Sequence, residues 1–85
     1  MLYYNKIYYG VVIMVINYKK LWHLLLDKNM NKSELQKKAG ITWAAMSKLT
    51  KNEHVNTEIL AKICFTLNCQ LNDIAELVNA EKDED

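Results

Sequence analysis

Residues 31–51 read NKSELQKKAGITWAAMSKLTK, and their punctuation constrains the fold more than any other stretch of the chain. Asn31 can cap a helix N-terminus. Glu34 stands three residues on, so Asn31-x-x-Glu34 reads as a capping box. A short helix over Lys32–Ala39 follows, with Leu35 and Ala39 four apart on one face. Gly40 is placed to end that helix in a left-handed conformation. Ile41 then enters a core, and Thr42 caps a second helix over Trp43–Thr50, whose Met46 and Leu49 share the face that Ile41 meets. Helices this short are not stable alone in water, so the pair must pack on each other and on further elements.

The rest of the chain supplies those elements. From Tyr18 to about Asn29, Leu21, Trp22, Leu25 and Leu26 recur at helical spacing, with Lys19, Lys20, His23 and Asp27 on the other side. Asn56 caps a helix over Thr57–Leu67 with the stripe Leu60, Ile63, Cys64 and Leu67. Asn72 caps a last helix over Asp73–Asn79, with Ile74, Leu77 and Val78 inward, and an acidic tail over 80–85 frays. The expectation is an all-α, five-helix domain over residues 18–79 carrying the two-helix motif at 32–51. At 85 residues the chain is one domain. Hydrophobic residues make up 51% and Pro is absent, which speaks for a globular helical chain and against a disordered or turn-rich one.

Residues 1–17, MLYYNKIYYGVVIMVIN, are different in kind: rich in Tyr, Val and Ile, they are strand-like. The apolar run from Ile7 to Ile16 is too short to span a bilayer and is interrupted by Gly10. Only Lys6 precedes it and no small-residue cleavage site follows, which argues against a signal peptide. Three readings stay open. The segment is a strand or hairpin, turning near Gly10, that covers the core or pairs with another chain. It is a membrane-touching arm. Or translation starts at Met14 and residues 1–13 carry no function. An apolar, β-branched edge invites pairing, which favours the first reading and a homodimer through this segment.

Net charge is +1, but it is unevenly spread. The last five residues carry −3, leaving +4 on residues 1–80. Lys28, Lys32, Lys37, Lys38, Lys48 and Lys51 crowd positions 28–51 against Glu34 alone, a block compatible with nucleic acid. Every basic residue is Lys; phosphate contact is open to Lys, whereas the bidentate fork that best reads guanine belongs to Arg. Cys64 lies on an apolar stripe, and Cys64, Cys69, His23 and His54 show none of the usual zinc spacings, so neither a disulfide framework nor a metal site is expected, and a reducing cytosol is. No Ser/His/Asp set, Gly-rich phosphate loop or paired carboxylates point to an enzyme or a cofactor.

Leu35, Ala39, Gly40, Ile41, Met46 and Leu49 fit the spacing of the helix-turn-helix in the phage repressor and Cro-like (XRE-type) family of bacterial regulators, and the chain resembles that family from about residue 14 to 79. The run LAKICFTLNC at 60–69 resembles its fourth helix and turn, and LNDI at 71–74 the start of its last helix. One departure is Gln36, where the family often has a small residue; it is tolerated if it points outward at the helix crossing. The resemblance implies that Lys32 contacts phosphate and that Thr42 and nearby backbone amides hold another. It implies that Trp43 and Ala44 stand where bases are read in the major groove, Ser47 and Lys48 one turn on, and Lys51 near the backbone.

Each residue has a plainer reading. Trp22 is core rather than a platform, and His23 is a solvated surface residue. Trp43 packs sideways along the domain, and the lysines, Lys37 and Lys38 first, are solvated charges. Trp43 offers one N–H donor and an apolar face, and Ala44 at most a contact to a thymine methyl. Polar readout therefore falls on Ser47 and Lys48, and specificity is expected to be modest or to rest on methyl contacts and DNA shape. Two function classes follow. The leading one is a cytoplasmic transcriptional regulator that binds double-stranded DNA as a homodimer, without membrane or small-molecule partner. The alternative is a protein-interaction module on the same fold, with Trp43, Ala44, Ala45 and the N-terminal segment as a sticky surface.

Overall fold

The computed structural model describes residues 7–9 and 12–80, with side chains from Met14 to Ala80. Strand β1 (Ile7–Tyr9) leads to β2 (Val12–Asn17), then to four helices, α1 (Lys19–Asp27), α2 (Lys32–Ala39), α3 (Trp43–Thr50) and α4 (Thr57–Leu67). A 3-10 turn (Leu71–Asp73) and strand β3 (Glu76–Asn79) complete the described part.

The core forms where the helices converge. Leu21 and Leu25 from α1, Leu35 from α2, Ile41, Met46 and Leu49 around α3, Leu60, Ile63 and Leu67 from α4, and Ile74 are all buried, as their spacing predicts. Several placements differ, three of them in the helical body. Leu26 is 77% exposed, although its neighbour Leu25 in the same turn of α1 is buried. Ala45 is buried and so cannot belong to a sticky outer surface. Tyr18, read only as the start of a helix, is fully buried at the junction of β2 and α1.

The expected fifth helix over 73–79 is replaced by a strand, and the described residues form four helices and a three-stranded antiparallel sheet of order β1-β2-β3. Glu76–Asn79 pairs with β2 in the register Met14↔Asn79, Val15↔Val78, Ile16↔Leu77 and Asn17↔Glu76. A seven-residue helix would leave more than half of its backbone groups without an intrahelical partner, four N–H groups at one end and four C=O groups at the other. β2, already paired to β1 through Ile7↔Met14 and Tyr9↔Val12, offers this segment a full ladder on its other side. Ile74 stays in the core, but Leu77 is exposed and Val78 half-buried. The expected cap at Asn72 also moves: the Gln70 amide donates to the Asp73 carboxylate at 2.8 Å.

All four helices stop by one device. Asn29, Gly40, Asn52 and Asn68 take φ values of +54, +69, +59 and +54, and each folds the chain back so that the next amide reaches the carbonyl five residues earlier. Those bonds are Met30 to Leu25, Ile41 to Gln36, Glu53 to Lys48 and Cys69 to Cys64, at 2.8 to 3.2 Å. Asn tolerates the left-handed region better than other residues with a Cβ, which explains how a chain without Pro and with two Gly breaks its helices so sharply.

Candidate nucleic-acid interface

α2 and α3 are joined by Gly40–Thr42 and held at a fixed angle by local bonds. The Asn31 side chain accepts from the Glu34 amide at 2.8 Å, and the Glu34 carboxylate accepts from the Asn31 amide at 3.0 Å, closing the capping box. A Cβ built on Gly40 would meet nothing within 4 Å, so glycine is favoured there by its positive φ and not by crowding. Gln36 does not simply point outward. Its carbonyl accepts from the amides of both Gly40 and Ile41, and its side-chain amide donates to the Ile41 carbonyl. The residue that departs from the expected pattern therefore laces the turn together.

On α3 the buried side is Ala45, Met46 and Leu49. Trp43, Ala44, Ser47, Lys48, Thr50 and the following Lys51 are exposed, and they form one continuous outer face at helical spacing. Trp43 is 57% exposed and lies outside the packed cluster. The Thr42 hydroxyl oxygen accepts from the Ala45 amide at 3.1 Å, which leaves its hydrogen to donate outward. Among the described residues no carboxylate forms an ion pair with Lys48 or Lys51. Thr42, Ala44, Lys48 and the start of α4 at Asn56 line a concavity of about 200 Å³. Two helix N-termini and an ammonium thus border the same space, a setting that favours an anion.

Lys32 is the exception among the expected contacts. It is half-buried, its ammonium sits 4.2 Å from the centre of the Trp22 ring, and it donates to the Thr50 hydroxyl at 3.0 Å. Thr50 in turn donates to the Met46 carbonyl at 3.0 Å. A charge attracted to an aromatic face and a hydroxyl ties the start of α2 to the end of α3. Trp22, expected to be core, is half-buried and packs against the core as the floor of this contact.

The loop after α3 is anchored from behind. The Tyr18 amide donates to Asn52 Oδ1 at 3.1 Å, and the Tyr18 hydroxyl donates to the Glu53 carbonyl at 2.9 Å. Burial pushes the Tyr18 hydroxyl pKa above its ordinary 10.0. Lys51 is thereby carried on a loop fixed to the sheet–helix junction. Gln36, Thr50, Tyr18 and Asn52 were not singled out from the sequence as site residues. The left-handed Asn52 had a local signal, an Asn just past a capped helix, whereas the Lys32–Trp22–Thr50 set joins three helices and has none.

No helix among the described residues is long and apolar enough to cross a membrane, and no group of three or more described His, Cys, Asp or Glu side chains could hold a metal.

No curated protein matches the chain. Among solved structures, that of the transcriptional regulator VanUg is similar, with 39% sequence identity and a TM-score of 0.77 over 88% of this chain and 99% of that one. The family model for the Cro/C1-type HTH DNA-binding domain matches residues 20–80, from within α1 to just past β3. On that match, with a capped α2, a left-handed glycine turn and an α3 held by its buried side, the chain belongs to the Cro/C1-type helix-turn-helix DNA-binding domain family.

Proposed function

We propose that this chain is a bacterial transcriptional regulator that acts in the cytoplasm and seats α3 in the major groove of duplex DNA. The observation that carries the reading is the outer face of α3: Trp43, Ala44, Ser47, Lys48 and Lys51 stand exposed on a helix whose opposite side is wholly buried. Thr42 and Lys48 contact backbone phosphate beside the Asn56 end of α4, and Lys51 a neighbouring one. Ser47 and the Trp43 indole N–H supply polar readout, while Ala44 and the Trp43 ring meet thymine methyls. Lys32 reaches phosphate only by leaving Trp22 or Thr50, so its main part is to set the angle of α3.

Few charges per chain make one protomer a weak binder, which favours a homodimer on a two-fold site with half-sites roughly 34 Å apart. The N-terminal hairpin is the proposed dimer contact. Selection of bound duplexes from a random pool tests the reading. A palindromic site, with affinity falling steeply as salt rises, supports it. The exposed Trp43 favours one alternative, a protein-interaction module on this fold, and absence of any salt-dependent DNA binding at low salt would decide for it.

A further inference from the structure

α4 ends at Leu67, and Asn68 follows at φ +54. The chain folds back there, and the Cys69 amide donates to the Cys64 carbonyl at 3.0 Å. This helix ending normally brings the two flanking side chains against one another as an apolar contact. Here both are cysteines, both free and half-buried. They are the only two cysteines in the chain. The backbone bond from Cys69 to Cys64 holds the two residues close, and a disulfide needs Cα atoms roughly 4.4–6.8 Å apart. Cys69 further lines an open concavity of about 460 Å³ between the ends of α1 and α4, so a small solute reaches it.

We propose that Cys64 and Cys69 form a hydroperoxide-sensitive dithiol that closes to an intramolecular disulfide. Burial, and then its Cys64 neighbour, push the Cys69 thiol up to about 11, so Cys69 keeps its proton until it closes on the oxidised Cys64. The Cys64 sulfur attacks one oxygen of the hydroperoxide, and the O–O bond breaks. The departing alkoxide or hydroxide takes the Cys64 proton, leaving a sulfenic acid. The Cys69 sulfur then attacks the Cys64 sulfur, and the S–O bond breaks. The hydroxyl group leaves as water with the Cys69 proton. Two thiols lose two electrons in all, and the peroxide is reduced to water and an alcohol, or to two waters when it is hydrogen peroxide.

The test is intact-mass measurement and free-thiol titration of the folded chain after hydrogen peroxide treatment. The expected product has lost about 2 Da and both thiols, runs as a single chain without reductant, and returns to its starting mass with dithiothreitol. Cys64→Ser and Cys69→Ser each prevent closure, and their remaining cysteine gains oxygen or cross-links two chains. Oxygen uptake by the wild-type chain, or a cross-linked dimer as its main product, overturns the proposal. So does closure equally fast in denaturant, because the fold would then contribute nothing.

Discussion

Asn68 does for α4 what Gly40 does for α2, and comparing the two shows how much a single backbone angle controls. Both sit in the left-handed region, where a Cβ costs about 1–2 kcal/mol. Gly40→Ala should lose about that amount although there is open space for the methyl group. Asn68→Gly should hold or raise stability, while Asn68→Ala should lower it by about 1 kcal/mol, both read by denaturant unfolding. Asn52→Ala should cost more than Asn68→Ala, because it also strips the acceptor from the Tyr18 amide. Equal losses at the two asparagines would mean that the Tyr18 contact contributes nothing.

Tyr18 carries a pH dependence at the same scale. Its hydroxyl is held protonated by burial and donates to the Glu53 carbonyl, so the folded chain binds that proton more tightly than the unfolded one. Its contribution is complete below 10.0 and is lost as pH rises through the higher folded value. Tyr18→Phe should therefore cost about 1 kcal/mol at neutral pH. The gap between the two proteins should shrink as pH passes the tyrosine range. A gap that is constant with pH would show that the hydroxyl does not titrate differently in the fold.

At the scale of elements, α3 has a buried side that packs and an exposed face that is the proposed reader. Lys32 and Lys48 look alike in the sequence, two lysines in one basic block, but the fold gives them different surroundings. Lys32→Ala should lower stability by about 0.5–1 kcal/mol through the loss of Trp22 and Thr50. Lys48→Ala should leave stability unchanged and flatten the log–log salt slope of DNA binding by about 0.9. Trp43→Ala should change the preferred sequence more than the affinity for random duplex. Equal weakening on every sequence would place Trp43 against the backbone. The helix boundaries and caps of α2, α3 and α4 were legible because each is written within four or five residues: Asn31 with Glu34, Thr42, Asn56, and the glycine at 40. The end of the chain was not. Ile74, Leu77 and Val78 fit a helix, yet the partner that made residues 76–79 a strand lies some sixty residues upstream.

For the whole molecule, the sheet ties the two ends of the described chain together. Lys20 on α1 donates to the Asn72 carbonyl at 2.8 Å and faces Glu76 at 3.8 Å, fastening the helices to the segment that leads into β3. A chain that begins at Met14 loses β1 and the first two residues of β2 but retains the four β2 residues paired with β3. Such a chain should stay folded, with its helical signal intact, and become monomeric if the proposed dimer runs through the hairpin. An unchanged oligomeric state by size-exclusion chromatography with light scattering would remove the hairpin from that role.

The sequence alone determined the helix-turn-helix frame, because caps, a left-handed glycine and apolar spacing act over a few residues and need no distant partner. It also determined which lysines and polar residues lie near α3. Only the tertiary structure decided that Lys32 is held by Trp22 and Thr50, that Tyr18 anchors the loop behind Lys51, and that the last apolar segment is a strand. Those outcomes depend on which surfaces the fold brings together. Hydrogen bonds left open on one element are answered by another far away in the chain, and no local pattern records that choice.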